Sequence, residues 1–142
     1  MDPYHLERFV EAQEAIYATA LAELKRGQKR THWMWFIFPQ IDGLGFSETS
    51  KYYALKSLDE ARRYLAHPVL GGRLLECCKA LLQVQGRKAY QIFGSPDDLK
   101  LKSSMTLFSE AVVEHAVFEE VLEKYFDGQK DQRTLDILAS LK

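Results

Sequence analysis

The chain has 142 residues, a length that fits one domain and buries a core without disulfide or metal staples. Nineteen basic and 20 acidic residues leave a formal net charge of −1, which lacks the positive field that nonspecific binding to nucleic acid or an anionic membrane needs. The longest apolar run, Trp33 to Phe38, has six residues against the roughly 20 needed to span a bilayer.

The N-terminal stretch MDPYHLERF has no basic head leading into an apolar core, so no signal peptide is visible and a cytoplasmic protein is expected. Asp2 can cap a first helix and Pro3 suits its first position. Leu6, Phe9, Ile16, Tyr17, Leu21 and Leu24 keep helical spacing up to a stop at Gly27. The basic group Lys25, Arg26, Lys29 and Arg30 reads as a helix C-terminus and solvated loop.

The run RTHWMWFIFPQ follows. Among helices, a lone strand would leave its backbone donors and acceptors unpaired, so the run is predicted to be a short helix over Trp33 to Phe38. Thr31 is its cap, and Pro39 disfavours helical geometry at Phe38. A helix apolar on every side is expected to be enclosed on every side and held by tertiary contacts.

Next, Gly43 and Gly45 make a turn, and Ser47 can cap a helix with Lys51 in its first turn. Ser57 and Glu60 form a capping box opening SLDEARRYLAH, Pro68 allows a fresh start, and Val69 to Val84 is helical up to Gly86. RKAYQIFG is a turn or two. Ser95 and Pro96 open DDLKLKSSMTLFSEA, HAVFEEVLEKYFDG ends at Gly128, and Asp131 caps a last helix running through Leu141. Nothing alternates with period two over a useful length. The fold class is all-α: a single domain over residues 1–142, with about seven to eight helices around a short buried central helix.

HWMWFIFPQ, GLGFSETSKYYAL, SLDEARRYLAHPVLGGRLLECCKALL and PDDLKLKSSMTLF together resemble an uncharacterised bacterial family of domains of unknown function. Its members are sometimes labelled calpastatin. The resemblance runs from Phe9 to the final helix and implies a multihelical fold with a buried central helix. It implies no activity, substrate, cofactor or catalytic residue. The label itself conflicts with the residues, because calpastatin-type inhibitors are disordered and Pro-rich, whereas this chain has four prolines and strongly periodic apolar positions.

Three places carry polar groups able to do chemistry. His32 opens the aromatic helix, where the helix dipole disfavours an imidazolium, leaving either a general base or a core histidine tying two helices together. In QIDGLGFSETSKYY, free backbone N–H groups, the Ser47 hydroxyl and the Lys51 ammonium can cradle an anion, with Tyr52 beside them; the alternative is an ordinary capped turn. In PDDLKLKSSMTLF, Asp98 and Lys102 are spaced for a helix ion pair, and Ser103 and Thr106 share a face that can line a small pocket. Alternatively, the pair is solvated and both hydroxyls bond back to helix carbonyls.

His5, His32, His67 and His115, with adjacent Cys77 and Cys78, give no metal-ligand spacing, and no nucleophile signature occurs. No metal and no cofactor are therefore expected. The leading expectation is a small anionic or nucleotide-like ligand in a pocket beside the central helix. Catalytic candidates are His32, Asp98, Lys102 and Ser103; binding candidates are Ser47, Lys51, Tyr52 and Thr106. Whether turnover occurs stays open, as does the choice between monomer and homodimer. The alternative is a protein-interaction module, or a homodimer, without a small-molecule site. Nucleic acid and membrane are not expected partners.

Overall fold

In the computed structural model, which describes residues 2–112 and 114–141, side-chain caps set several helix starts where the sequence places them. The Ser47 hydroxyl accepts from the Ser50 N–H at the start of α4 (Glu48–Tyr53). Ser57 does the same for Glu60 in α5 (Leu58–Ala66), and Asp131 for Thr134 in α10 (Gln132–Ser140). The remaining elements are α1 (Glu7–Glu14), α2 (Tyr17–Arg26), α3 (Met34–Ile37), α6 (Leu70–Gln83), α7 (Ala89–Phe93), α8 (Asp97–Ala111) and α9 (Val117–Phe126). No strand occurs among the described residues, and one isolated parallel bridge joins Ile41 to Leu55. The all-α class is as expected.

Ten helices among the described residues exceed the seven to eight expected, largely because the first predicted helix is two. Ile16 leaves helical geometry at φ −122°, separating α1 from α2. The start also lies later than Pro3. Asp2 caps at longer reach, its two carboxylate oxygens accepting from Leu6 N–H and Glu7 N–H at 2.8 and 2.9 Å. Before α8, Pro96 rather than Ser95 stands at the cap position.

The aromatic helix is shorter and less enclosed than expected. It covers four residues with Trp33 at its cap, while the Thr31 hydroxyl donates to Glu23 Oε2 at 2.8 Å instead of capping. Trp33, Met34, Ile37 and Phe38 are buried, but Trp35 and Phe36 are only half-buried. The rings of Trp33, Phe38 and Phe93 form a triangle with centroids 6.2–6.4 Å apart. Trp35 faces the rim instead, under the Lys100 ammonium at 4.9 Å.

Helix α8 shares the middle of the molecule, packed against α5, α7, α9 and α10. Its residues from Ser103 to Ser109 are all buried although four carry hydroxyls. Ser103, Thr106 and Ser109 hide their polarity by donating back to the carbonyls of Leu99, Lys102 and Thr106. Helix α6 packs on α2, α5 and α9, and Gly71 makes its close approach to α5 possible. A Cβ at Gly71 would sit 2.0 Å from the Leu65 carbonyl oxygen. Cys77 and Cys78 are buried and free; burial pushes the Cys77 thiol up to about 12 and Cys78 well above its ordinary value, so neither is a ready nucleophile. No helix among the described residues is long and apolar enough to cross a membrane.

Candidate functional site

One buried guanidinium gathers three segments of chain. Arg8, on α1 and 7% exposed, uses all five of its N–H donors. Nε donates to Tyr52 O at 2.8 Å, and Nη1 to Tyr4 O and His5 O at 2.6 and 2.7 Å. Nη2 donates to Ala54 O and Glu60 Oε2, both at 3.1 Å. The other oxygen of Glu60 accepts from Lys56 N–H at 3.1 Å, one residue beyond the reciprocal bond a capping box would make. A charge this enclosed persists only when paired and hydrogen-bonded, and here it is both.

The gathered segments are the N-terminal turn, the end of α4 and the start of α5. The α4 segment is pinned at its base by the bridge across Ile41 and Leu55, where Asp42 N–H donates to Leu55 O at 2.7 Å and Leu55 N–H to Gln40 O at 2.9 Å. Between the segments lies a cleft of about 560 Å³, within the range of small-molecule sites. His5 and Tyr4 line it from the turn, Glu48, Lys51 and Tyr52 from one face of α4, and Lys56 from the run into α5. Among the described residues, the ammonium groups of Lys51 and Lys56 and the His5 imidazole have no hydrogen bond or ion pair. The Arg8–Glu60 pair cancels its own charge, so the free charges facing the cleft are two lysines against Glu48.

The walls are held in place. His5 sits at φ +52°, a left-handed conformation that disfavours a side chain and must be held by its surroundings. Its ring meets Tyr52 edge-on at 6.2 Å. The Tyr4 hydroxyl donates to Asp59, which raises the phenol above its ordinary range and keeps it protonated.

The sequence-predicted residues divide. Lys51 and Tyr52 line the cleft; Ser47 stays outside it, its hydroxyl bonded to Ser50. The hollow beneath the Gly43–Gly45 turn measures about 10 Å³, room for a water and too small for a phosphate cradle. His32 is exposed and precedes α3, so it lies outside the helix whose dipole was to act on it. Ser103 and Thr106 close on Asp131: the Ser103 hydroxyl lies 3.1 Å from Asp131 Oδ2, and Thr106 Oγ1 accepts from Asp131 N–H at 2.9 Å. They lock α8 to the start of α10. The expected Asp98–Lys102 pair is not among the ion pairs of the described residues; Asp97 takes that role, 3.0 Å from Lys29 and 3.4 Å from Lys100. Asp98 accepts from Leu99 N–H instead. Among the described residues, no group of three or more His, Cys, Asp or Glu side chains is placed to hold a metal.

Sequence reasoning missed Arg8, Glu60, His5 and Lys56. Glu60 was read only as a capping-box residue, a role that says nothing of its burial beside Arg8. Arg8 adjoins Phe9 on a helix read for its apolar stripe alone, and nothing local marks the three segments as neighbours.

Residues 3–138 match a family model described as protein of unknown function (DUF1810). The chain belongs to this family. Its fold recurs in the crystal structure of a conserved hypothetical protein from Mycobacterium tuberculosis, 51% identical, with a TM-score of 0.96 over 97% of this chain and 99% of that one. No curated protein matches. Neither description carries the calpastatin label, and membership of the unknown-function family assigns no role to any residue of the cleft.

Proposed function

We propose that the cleft framed by Arg8 binds a small anionic, nucleotide-like ligand. What supports this most directly is the pair of unpartnered lysine ammonium groups, Lys51 and Lys56, facing a cavity of about 560 Å³ beside an unpartnered imidazole. An anion entering there meets charge already aimed at it, on walls that Arg8 has ordered in advance. Tyr52, half-exposed on the same lining, offers an aromatic body for the organic part of the ligand. Of the residues the sequence offers for such a ligand, Lys51 and Tyr52 line this cleft, whereas His32, Asp98, Lys102 and Ser103 do not. The reading is of binding, since no residue of the cleft is arranged as a nucleophile with its base.

The interaction-module reading rests on the Gly43–Tyr53 surface with Tyr52 and Tyr53, where Phe46 is 83% exposed and Tyr52 half-exposed. Two exposed rings fall short of the contiguous patch an interface needs. Thermal denaturation with adenosine monophosphate separates the two readings. A ligand at 100 times its dissociation constant adds about 2.7 kcal/mol, so a rise in melting temperature supports the cleft and an unchanged one removes it.

A further inference from the structure

We infer that His5 makes the cleft pH-sensitive: once protonated, its imidazole is a third cation facing the bound anion, and the ligand is held more tightly as the pH falls. The inference rests on the anion-binding reading of the cleft and names what regulates it.

A left-handed backbone at a residue with a side chain persists only where the surroundings over-determine it, and such residues cluster at binding sites. At His5, φ +52° is held from both directions. The His5 N–H donates to Asp2 O at 3.1 Å, while His5 O accepts from Arg8 N–H at 3.3 Å and from Arg8 Nη1 at 2.7 Å. The guanidinium that frames the cleft therefore also fixes the backbone that carries this imidazole. The ring itself has no hydrogen bond or ion pair among the described residues, and it meets the Tyr52 ring edge-on at 6.2 Å. It is placed by the fold and left without a partner in it.

The charged and titratable groups around it come from four segments. Asp2 and Tyr4 stand on its own turn, Arg8 on α1, Glu48, Lys51 and Tyr52 on α4, and Lys56 and Glu60 at the start of α5. Arg8 and Glu60 are paired with each other. Asp2 is held below the usual carboxylate range by the N–H groups of Glu7 and Leu6, so it stays ionised, and the bond to Asp59 keeps the Tyr4 phenol protonated. Carboxylates, phenols and ammonium groups ordinarily change charge outside the range from about pH 5 to 8, and imidazole changes inside it. A second imidazole, His67, lines the cavity across the Pro3–Tyr4 turn, where its Nδ1 accepts from Val69 N–H and Leu70 N–H.

The direction of the effect follows from charge. At the upper end of that range an anion meets two lysines against Glu48. At the lower end an imidazolium joins the lysines. An anion seated beside the ring favours its charged form, so binding takes up a proton and strengthens with acid. A phosphate monoester has its own step at about pH 6 and loses charge in acid, which by itself weakens binding. Comparing two proteins at the same pH cancels that step.

Calorimetric titration of the natural protein and of His5→Asn with adenosine monophosphate, at about pH 8 and about pH 5.5, tests this. Asparagine accepts the left-handed backbone more readily than other side chains and carries no titrating group. The factor by which His5→Asn weakens binding is expected to grow about tenfold from the higher pH to the lower, the size of effect an adjacent opposite charge has on a titrating group. Lys51→Ala should weaken binding by a similar factor at both. A His5→Asn factor that does not change with pH, with Lys51→Ala still weakening binding, overturns the role of His5 and leaves the anion cleft standing. No binding by the natural protein at either pH removes the anion cleft, and this inference with it.

Discussion

Glu23 and Arg8 are both charged, both nearly excluded from solvent, and both hold irregular chain, yet their surroundings end differently. Glu23, on α2 and 2% exposed, accepts from the N–H groups of Arg30 and Thr31, the Thr31 hydroxyl and the Trp33 indole, at 2.8–3.1 Å. The segment it gathers is aromatic, so the rings of Trp33, Phe38 and Phe93 pack into a filled core. Arg8 gathers backbone carbonyls of polar segments, whose side chains turn outward as lysine, histidine and tyrosine and leave a cleft. The same device, a buried charge collecting backbone groups, closes a core where the collected residues are apolar and frames a cavity where they are polar.

The sharpest way to break the comparison is to remove its two anchors and the tryptophans of the aromatic helix. Arg8→Ala leaves Glu60 buried without its counter-charge and takes a guanidinium donor from four carbonyls. A loss of about 3–5 kcal/mol is expected in urea denaturation, together with loss of nucleotide binding. Trp33→Ala should cost about 3–5 kcal/mol, because that ring is fully enclosed. Trp35→Ala should cost about 1–2 kcal/mol, because its ring is half-buried and meets Lys100 at the rim. Equal losses at the two tryptophans would contradict the division of the aromatic helix into an enclosed and a rim side.

Glu23 makes a statement about pH. Burial alone would raise its pKa, but the hydrogen bonds from Arg30 N–H, the Trp33 indole and Thr31 outweigh it and hold the carboxyl down to about 2. A carboxyl depressed on folding contributes stability that is complete above its ordinary value of 4.5 and lost as the pH falls toward 2. The gap in unfolding free energy between the natural protein and Glu23→Gln should therefore narrow by about 3 kcal/mol across that window. A gap independent of pH would show that the carboxylate does not hold the segment through its charge.

Helix class and the caps at Ser47, Ser57 and Asp131 were legible because capping and apolar periodicity are local. Ser57, Asp131 and the stop at Pro39 all act within a few residues of themselves. The break at Ile16 was not legible, since the apolar stripe continues across it. For α8 the alternative reading holds in part, since the Ser103 and Thr106 hydroxyls do bond back to carbonyls of the same helix, and that bonding lets the helix be enclosed. Glu23 carried a usable signal, standing in register with Ala20, Leu24 and Gly27 on the buried face of α2. The cleft was legible only in part. Lys51 and Tyr52 drew notice in their own segment, but what joins them to His5 and Lys56 is Arg8, 44 residues from Tyr52 in sequence.

The smallest expected change in stability accompanies the most direct measurement. Lys51→Ala/Lys56→Ala alters two exposed side chains, so the unliganded variant should unfold within about 0.5 kcal/mol per site of the natural protein. Titrated with adenosine monophosphate, the natural protein should bind and the double variant should bind at least about tenfold more weakly, a step of about 1.4 kcal/mol. Undiminished binding by the double variant, or no binding by the natural protein, would contradict the assignment of this cleft to an anion.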